Sequence, residues 1–255
     1  MIAKTQEDID ILREGGRRLA RHMRVLSEMV APGLAVVDLE KRAHELVEAD
    51  GDESAFFKYP SGKRGEKFPG VLCVSINDAV EHGPAAIMDY IIEEGDIVSL
   101  DFGIKHKGLF TDHGNTVIAG TGRAEDIRLI AGTNEALAVG IAQAQVGNTV
   151  GDIGYAVEQV AKKYGFGFPK ILAGHGVGAA VHEEPQIPNF GFPHAGAQLV
   201  EGMVIAIEPM MTLGRGELYI GKDNFTYLTK DGSRAAHAEH TILITKDGPE
   251  ILTKE

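Results

Sequence analysis

The chain contains two pairs of segments in which apolar residues recur at the spacing of an α-helix. The first segment opens with Thr5-Gln6-Glu7-Asp8, a typical helix start, and Pro32-Gly33 ends it. A second helix is predicted from about Asp38 to Gly51. The same order returns with helices predicted from about Glu125 to Gln145 and from Asp152 to Tyr164. The apolar positions of the first helix are Ile9, Leu12, Leu19, Met23 and Leu26.

Each helix pair is followed by apolar runs that end in a carboxylate. The sequence EGDIVSLD at 94–101 returns as EGMVIAIE at 201–208, and a second strand with another acid follows in each half, at Asp112 and at Glu239. This duplication predicts an α+β fold in which paired helices cover one face of a curved antiparallel sheet. We expect residues 1–255 to form a single catalytic domain with halves at about 1–120 and 121–255.

Composition excludes several classes of function. The 255 residues include 37 Asp and Glu against 25 Lys and Arg, which argues against a nucleic-acid-binding surface. The chain contains no run of about 18 apolar residues and opens without an apolar secretory core, so we expect a cytoplasmic protein without a membrane span. Because Cys73 is the only cysteine, an intramolecular disulfide and a thiolate zinc site are excluded.

Asp101 and Asp112 flank a hairpin turn predicted at 104–108. If this turn centres between His106 and Lys107, the two acids face each other directly across the strands. At about 5 Å and an effective dielectric of about 20, their repulsion is on the order of 3 kcal/mol, and a divalent cation would reverse its sign. The alternative is one protonated acid and one solvated acid at a strand edge. The mirrored pair Glu208 and Glu239 argues against that alternative, because the coincidence would have to occur twice.

His175 is a candidate fifth ligand because its flanking glycines allow close approach of the backbone and a ligand. A histidine in such a turn can also be a structural hydrogen-bond donor. Four carboxylates and one neutral imidazole would balance the charge of two divalent ions. An oxygen-rich set without thiolates favours Mn, Fe(II), Co or Mg over structural zinc. Two metals about 3.5–4 Å apart would share a hydroxide nucleophile and polarise a carbonyl, which predicts a metallohydrolase.

At these residues the chain strongly resembles the bacterial type I methionine aminopeptidases, which are metallopeptidases with the pita-bread fold. The resemblance covers essentially the whole chain and includes five metal ligands in the family's order. Besides Asp101 and Asp112, the matching segments are SINDAVEHG at 75–83, GHGVG at 174–178, HEEP at 182–185, IEPM at 207–210 and EHT at 239–241.

The resemblance implies a cytoplasmic enzyme that removes N-terminal methionine from peptides and nascent proteins through a metal-bound hydroxide. Its cofactors would be two divalent metal ions, such as Co, Mn, Fe(II) or Zn, and Glu208 would also act as the general base. His82 and His182 would contact the scissile peptide and stabilise the tetrahedral intermediate. The implied metal ligands are Asp101, Asp112, His175, Glu208 and Glu239, with Asp112 and Glu239 bridging.

The methionine side chain would bind at positions that match the family's pocket, namely Phe68, Cys73, Val181 and Phe225. Sulfur–aromatic contacts would favour a thioether side chain at these residues. The alternative interpretation is that the four residues are part of the ordinary core. Three departures from the family pattern stand out: smaller residues at 181 and 225, a longer loop at 60–67, and His113 where a small residue is common. The histidines at 22, 44, 106 and 194 lie away from the acid clusters, and we expect them at the surface.

Two other functions remain open from the sequence. An Xaa-Pro aminopeptidase or prolidase would share Asp101 and Asp112, but such enzymes usually carry an extra N-terminal domain, and here helices begin near residue 5. A catalytically inactive pita-bread protein could serve as a binding module, but such proteins lose metal ligands and this chain keeps all five. We expect a monomer that acts on peptide N-termini, with no nucleic acid or membrane partner.

Overall fold

Four α-helices lie in two consecutive pairs, as the apolar spacing predicts. In the structure, a computed structural model that describes residues 1–60 and 65–255, they are α1 (Gln6–Met29), α2 (Val36–Asp50), α3 (Ala124–Gln143) and α4 (Val150–Tyr164). Capping boxes start α1 at Thr5 and α4 at Thr149, where each threonine and the aspartate three residues later satisfy free backbone N–H groups. Within the described ranges, none of the helices is long and apolar enough to cross a membrane.

The strands form antiparallel sheets between the helix pairs. β4 pairs with β1, β2 and β5, while a five-stranded sheet has the order β14-β13-β8-β6-β7. Smaller sheets have the orders β10-β11-β3 and β12-β9. The predicted α+β architecture is therefore confirmed. The strands are β1 (Glu53–Ser54), β2 (Leu72–Ile76), β3 (Ala79–Glu81), β4 (Ile97–His106), β5 (Leu109–Ile118), β6 (Ala173–Gly176), β7 (Glu183–Pro188), β8 (Val204–Ile207), β9 (Met210–Thr212), β10 (Leu218–Ile220), β11 (Tyr227–Thr229), β12 (Ala235–His237), β13 (His240–Thr245) and β14 (Gly248–Ile251).

The cores form where each helix pair packs on its sheet. In the first half, Leu19, Met23 and Leu26 of α1 are buried in one apolar cluster with Leu100 and Phe102 of β4. In the second half, side chains of α3 and α4 are buried with β8 and β13. The helices thus cover one face of the strands and leave the opposite face of β4, β5, β6 and β8 available for polar groups.

The β4–β5 hairpin has a different register from the predicted one. His106 pairs with Leu109, so the turn is Lys107–Gly108 and Asp101 lies opposite Gly114, while Asp112 lies opposite Gly103. Both turn residues have positive φ, 47° and 92°, as in the type I′ turns that match strand twist. The expectation that Asp101 and Asp112 face each other directly is therefore wrong. Because the offset is two residues, both side chains still point to the same face.

Two of the four histidines expected at the surface are buried, which corrects that prediction. His22 follows Leu19 by three residues on the buried face of α1, and its Nε2 lies 2.8 Å from Oδ2 of Asp50. His106, at the end of β4, places Nδ1 2.6 Å from Oδ1 of Asp52. Both imidazoles tolerate burial because each has a carboxylate partner, Asp50 at the end of α2 for His22 and Asp52 two residues beyond it for His106. The other two, His44 and His194, are exposed as predicted.

The β4–β5 turn yields a stability prediction. Lys107 occupies a left-handed conformation that costs most side chains about 1–2 kcal/mol, whereas asparagine adopts it readily. We expect Lys107→Asn to raise the free energy of unfolding by up to about 1 kcal/mol, measured by urea denaturation. The matched control is Lys246→Asn in the β13–β14 turn, which has no positive φ at that position and should gain nothing. A lower stability for Lys107→Asn would contradict the assigned turn.

Candidate functional site

The five predicted metal ligands converge from both halves of the chain. Asp101 lies on β4, Asp112 on β5 and His175 on β6, while Glu208 directly follows β8 and Glu239 directly precedes β13. Ile207 pairs with His240, and the N–H of Ala238 donates to the carbonyl oxygen of Pro209 over 3.2 Å, so Glu208 and Glu239 between them lie opposite each other. The side chains of all five residues are buried. The second half therefore has the direct opposition that the first half lacks.

The ligand atoms approach one another closely enough to share metal ions. Nε2 of His175 lies 3.3 Å from Oε1 of Glu208 and 3.9 Å from Oδ2 of Asp112. Four groups of described residues have ligand atoms within 4.8 Å of one another, and two of these groups consist only of the predicted ligands: Asp101 with Asp112 and Glu239, and His175 with Glu208 and Glu239. Because Glu239 belongs to both groups, the two positions are neighbours.

Burial of these acids changes their protonation. Burial and the neighbouring carboxylates raise the pKa values of Asp101, Glu208 and Glu239 well above their ordinary values. Burial raises the pKa of Asp112 to about 7. For His175, burial lowers the pKa to about 3, with a further contribution from His182, so its imidazole is neutral at pH 7. Without a cation, the site would therefore retain protons at pH values where ordinary carboxyl groups are ionised.

Free polar atoms show that this set of residues fits a divalent cation. Oδ1 of Asp101 and Oε1 of Glu239 are buried and receive no hydrogen bond from the described residues. Nδ1 of His175 donates to the carbonyl oxygen of Gly176 over 3.0 Å, which leaves the lone pair of Nε2 directed at Glu208 and Asp112. Buried carboxylate oxygens without donors and a pre-oriented imidazole are what a metal centre needs.

The two other predicted histidines, His182 and His82, line the same cavity as the five candidate ligands, which we call the acid cluster. The ring of His182 packs edge-on against His175, with 4.4 Å between centroids, and against Tyr59 at 4.9 Å. Burial lowers the pKa of His182 to about 4. His82 has a positive φ of 61° after β3, and its Nε2 lies 3.5 Å from Oε2 of Glu81. Both histidines line a cavity of about 410 Å³ whose floor carries all five candidate ligands.

The four residues predicted to form a side-chain pocket lie together in one apolar cluster. Phe68, Cys73, Val181 and Phe225 are buried there with Phe56, and the rings of Phe68 and Phe225 meet edge-to-face at 5.6 Å. Phe56, Phe68 and Cys73 line the cavity. Cys73 pairs with Asp101 across β2 and β4, so the apolar wall adjoins the acids directly.

The predicted long loop at 60–67 lies partly outside the described residues, which omit 61–64. Its two ends pair with each other. Pro60 forms a bridge with Lys67, and the N–H of Phe68 donates to the carbonyl oxygen of Tyr59 over 2.9 Å. These contacts place Tyr59 and Phe68 together at the wall of the cavity.

Two buried residues of the site were missed by the sequence analysis. Glu81 and His237 form a third group with Glu208 whose ligand atoms lie within 4.8 Å of one another. Nε2 of His237 lies 3.8 Å from both Glu208 and Glu239 and has no hydrogen-bond partner among the described residues. Burial alone would raise the pKa of Glu81, but His82 and His237 lower it. Glu81 stood inside the matching segment 75–83, whereas His237 carried no signal, since only the packing of β12 against β9 places it here.

Comparisons with known proteins agree with this geometry. The sequence profile of metallopeptidase family M24 matches residues 10–246. A methionine aminopeptidase from Aquifex aeolicus is 42% identical over 252 residues, which are 98% of this chain and 97% of the relative. A methionine aminopeptidase from Mycoplasma capricolum is 40% identical over 253 residues, again 98% and 97% of the two chains.

Solved structures extend the comparison to the fold. A methionine aminopeptidase from Thermotoga maritima superimposes with a TM-score of 0.94 at 36% identity, covering 100% of both chains. A prolidase from Pyrococcus furiosus gives a TM-score of 0.78 at 26% identity, covering 100% of this chain and 66% of the prolidase. The pita-bread fold expected from the resemblance is therefore confirmed.

The raised carboxyl pKa values predict how pH affects the metal-free protein. A group whose pKa is raised in the folded state stabilises it below the unfolded pKa and loses that contribution as pH rises. For Asp112 this loss runs from about pH 4 to about pH 7. Buried neutral histidines act in the opposite direction, so the effect is measured as the difference between Asp112→Asn and the wild type.

We expect chelator-treated Asp112→Asn to gain stability relative to chelator-treated wild type as pH rises from 4 to 7, measured by urea denaturation. Saturating Mn²⁺ should reverse the order at pH 7, because a cation that binds only the folded state stabilises the wild type. A constant difference across this pH range in metal-free protein would contradict the protonation of Asp112.

Proposed function

The chain belongs to metallopeptidase family M24, and from this premise we propose that it is a metal-dependent aminopeptidase that removes N-terminal methionine from peptides and proteins. The observation that carries the proposal is the convergence of five buried metal-ligand candidates beneath a cavity with an uncharged apolar wall. The alternative of a prolidase has weaker support, because the prolidase from Pyrococcus furiosus has lower identity and a lower TM-score.

We propose that Asp101, Asp112, His175, Glu208 and Glu239 hold two divalent metal ions, with Asp112 and Glu239 bridging. The support is geometric: Glu239 is common to the two candidate groups, and four carboxylates carry the charge that two such ions would balance. Co, Mn, Fe(II) and Zn are the candidate metals for this donor set. Divalent cations in such a centre act as Lewis acids toward a carbonyl and acidify water.

Glu208 is the proposed general base. Its Oε1 lies 3.3 Å from Nε2 of His175 and its Oε2 lies 3.8 Å from Nε2 of His237, and the residue lines the cavity. As a carboxylate it can accept a proton from a water that attacks the scissile carbonyl. The proton held by Glu208 is then available for the amine that leaves.

His82 and His182 are the proposed donors to the reacting peptide. Burial, with a further contribution from the neighbouring His82, lowers the pKa of His182 to about 4, so the ring is neutral at pH 7. A neutral imidazole donates through one nitrogen and can stabilise negative charge that develops on the carbonyl oxygen. Glu81 lies 3.5 Å from Nε2 of His82 and limits the orientation of that ring.

The proposed site for the methionine side chain is the apolar wall of Phe56, Phe68 and Cys73, with Val181 and Phe225 packed behind it. These side chains carry no charge, so a charged side chain would be buried there without a partner. Aromatic rings also make favourable contacts with a thioether. The free amino group of the substrate would lie at the acid cluster, which adjoins Cys73 through Asp101.

Variants at two positions separate metal ligands from peptide donors. Asp112→Ala should lose metal and activity together, because it removes a carboxylate from the centre. His82→Ala should retain the metal but lower kcat by about 10²–10⁴-fold, which is typical for a positioned donor or acid–base group. The checks are metal content of purified protein and steady-state kinetics. Loss of metal from His82→Ala would show that its assigned role is wrong.

A peptide panel tests the substrate. We expect kcat/KM to be highest for Met-Ala-Ser and much lower for Lys-Ala-Ser, because a buried unpaired charge is costly. Norleucine in place of methionine should be cleaved well, since one heavy atom in an apolar pocket is worth only about 1–3 kcal/mol. Formyl-Met-Ala-Ser should fail because its amine is blocked. A preference for Ala-Pro-Ala would instead assign the chain to the proline-directed branch of the fold.

A further inference from the structure

In each half of the chain, one of the candidate metal-binding acids is followed directly by a histidine. Asp112-His113 lies on β5, whereas in Glu239-His240 the acid directly precedes β13, which begins at His240. Because successive side chains of a strand point to opposite faces, Asp112 faces the cavity while His113 points away from it. The two histidines meet behind the acids, where their rings stack with 4.7 Å between centroids and 15° between planes.

His113 binds the backbone of the other acid. Its Nδ1 lies 2.6 Å from the carbonyl oxygen of Glu239, and since a carbonyl only accepts, Nδ1 carries the proton and donates. The N–H of Glu239 donates to the carbonyl oxygen of Gly114 over 2.9 Å. Both backbone polar groups of Glu239 are therefore bound to the two residues that follow Asp112 on β5.

The ring of His240 is itself held in place. Its Nδ1 lies 2.9 Å from Oγ1 of Thr253, and that hydroxyl also accepts the backbone N–H of Thr241 over 3.1 Å. Thr241 in turn accepts the N–H of Asp112 at its hydroxyl and donates to the carbonyl oxygen of Asp112, at 2.8 and 2.7 Å. The ring of His240, on which His113 stacks, is therefore held by a hydrogen-bond network that also binds the backbone of Asp112.

These contacts matter because β5 and β13 belong to different sheets. β5 pairs with β4, whereas β13 pairs with β8 and β14, so no strand ladder sets the distance between Asp112 and Glu239. That distance depends instead on the backbone hydrogen bond from Glu239 to Gly114 and on side-chain contacts across the boundary between the halves. His113 makes one of the shortest of them, directly at Glu239.

We infer that His113 is a positioning residue of the metal centre. Its hydrogen bond to the Glu239 carbonyl, supported by the stack on His240, fixes the spacing between the Asp112 and Glu239 carboxylates. The inference rests on the proposed function, in which these two acids bridge the metal ions. Partners that orient metal ligands from outside the coordination sphere typically change metal affinity or activity by 10–100-fold when mutated.

The environment of His113 makes a substitution practical. His113 and His240 line a surface groove of about 450 Å³ with Met23 of α1 and Thr253. Because this groove is open to solvent, removal of the ring leaves space that water can enter rather than a sealed apolar cavity. We therefore expect His113→Ala to fold.

The test compares three variants of His113 with an exposed control. The stripped full-length proteins are titrated with Mn²⁺ by calorimetry, and the thermal unfolding of each metal-free protein is recorded. We expect His113→Ala and His113→Phe to bind Mn²⁺ about 10–100-fold more weakly, because phenylalanine keeps a ring but lacks the donor. His113→Asn should recover part of the affinity, because its amide Nδ2–H occupies the position of the donating Nδ1–H. The control His44→Ala, on the exposed side of α2, should bind like the wild type.

Wild-type Mn²⁺ affinity in His113→Phe, or in His113→Ala with a lowered Tm, would overturn the inference and leave His113 a packing role. Kinetics with Met-Ala-Ser provide a further readout, in which kcat should fall in His113→Ala while KM stays near the wild-type value. A wild-type protein that binds Mn²⁺ but does not cleave this peptide would count against the proposed function alone, because the metal titrations do not depend on the substrate.

Discussion

The structure depends on how it accommodates several like charges that are buried together. The repulsion between two carboxylates about 4 Å apart is on the order of 4 kcal/mol at an effective dielectric of about 20. Burial adds a further cost, because it removes the charges from water. Because of this cost, the pKa values of four carboxyl groups are raised, and these groups retain protons when no cation is bound. They are Asp101, Asp112, Glu208 and Glu239. Bound divalent cations would remove it. The same arrangement therefore links folding stability, pH and metal binding through one set of side chains.

The two halves of the chain place their pairs of acids differently. In the second half, Glu208 and Glu239 lie opposite each other just beyond the paired ends of β8 and β13. In the first half, the Lys107–Gly108 turn offsets Asp101 from Asp112 by two residues, which keeps both on one face but moves them apart along the strands. The halves then meet without a shared ladder between β5 and β13. Their alignment depends on hydrogen bonds such as that from His113 to Glu239.

Around the acids, neutral histidines and an apolar wall provide distinct chemical environments. Burial lowers the pKa of His175 to about 3 and that of His182 to about 4, with further contributions from neighbouring histidines, so both rings are neutral at pH 7. Cys73 stands between the two environments, since it packs with the aromatic residues and pairs with Asp101. A substrate in this cavity would thus place its amine near carboxylates and its side chain against apolar atoms within a few ångströms.

The sequence by itself determined the helices, the duplication, the α+β class and the five residues of the acid cluster. Helical spacing, capping residues and acids inside apolar runs are local signals, and each of them occurs in both halves of the chain, which supports the interpretation twice. Only the tertiary structure decided the register of the β4–β5 hairpin, because a turn of two positive-φ residues shifts pairing without changing the apolar pattern. It also decided the burial of His22 and His106, whose partners lie 28 and 54 residues away in the chain, and the place of His237 in the site. These features depend on contacts between distant segments, and no local pattern of residues encodes them.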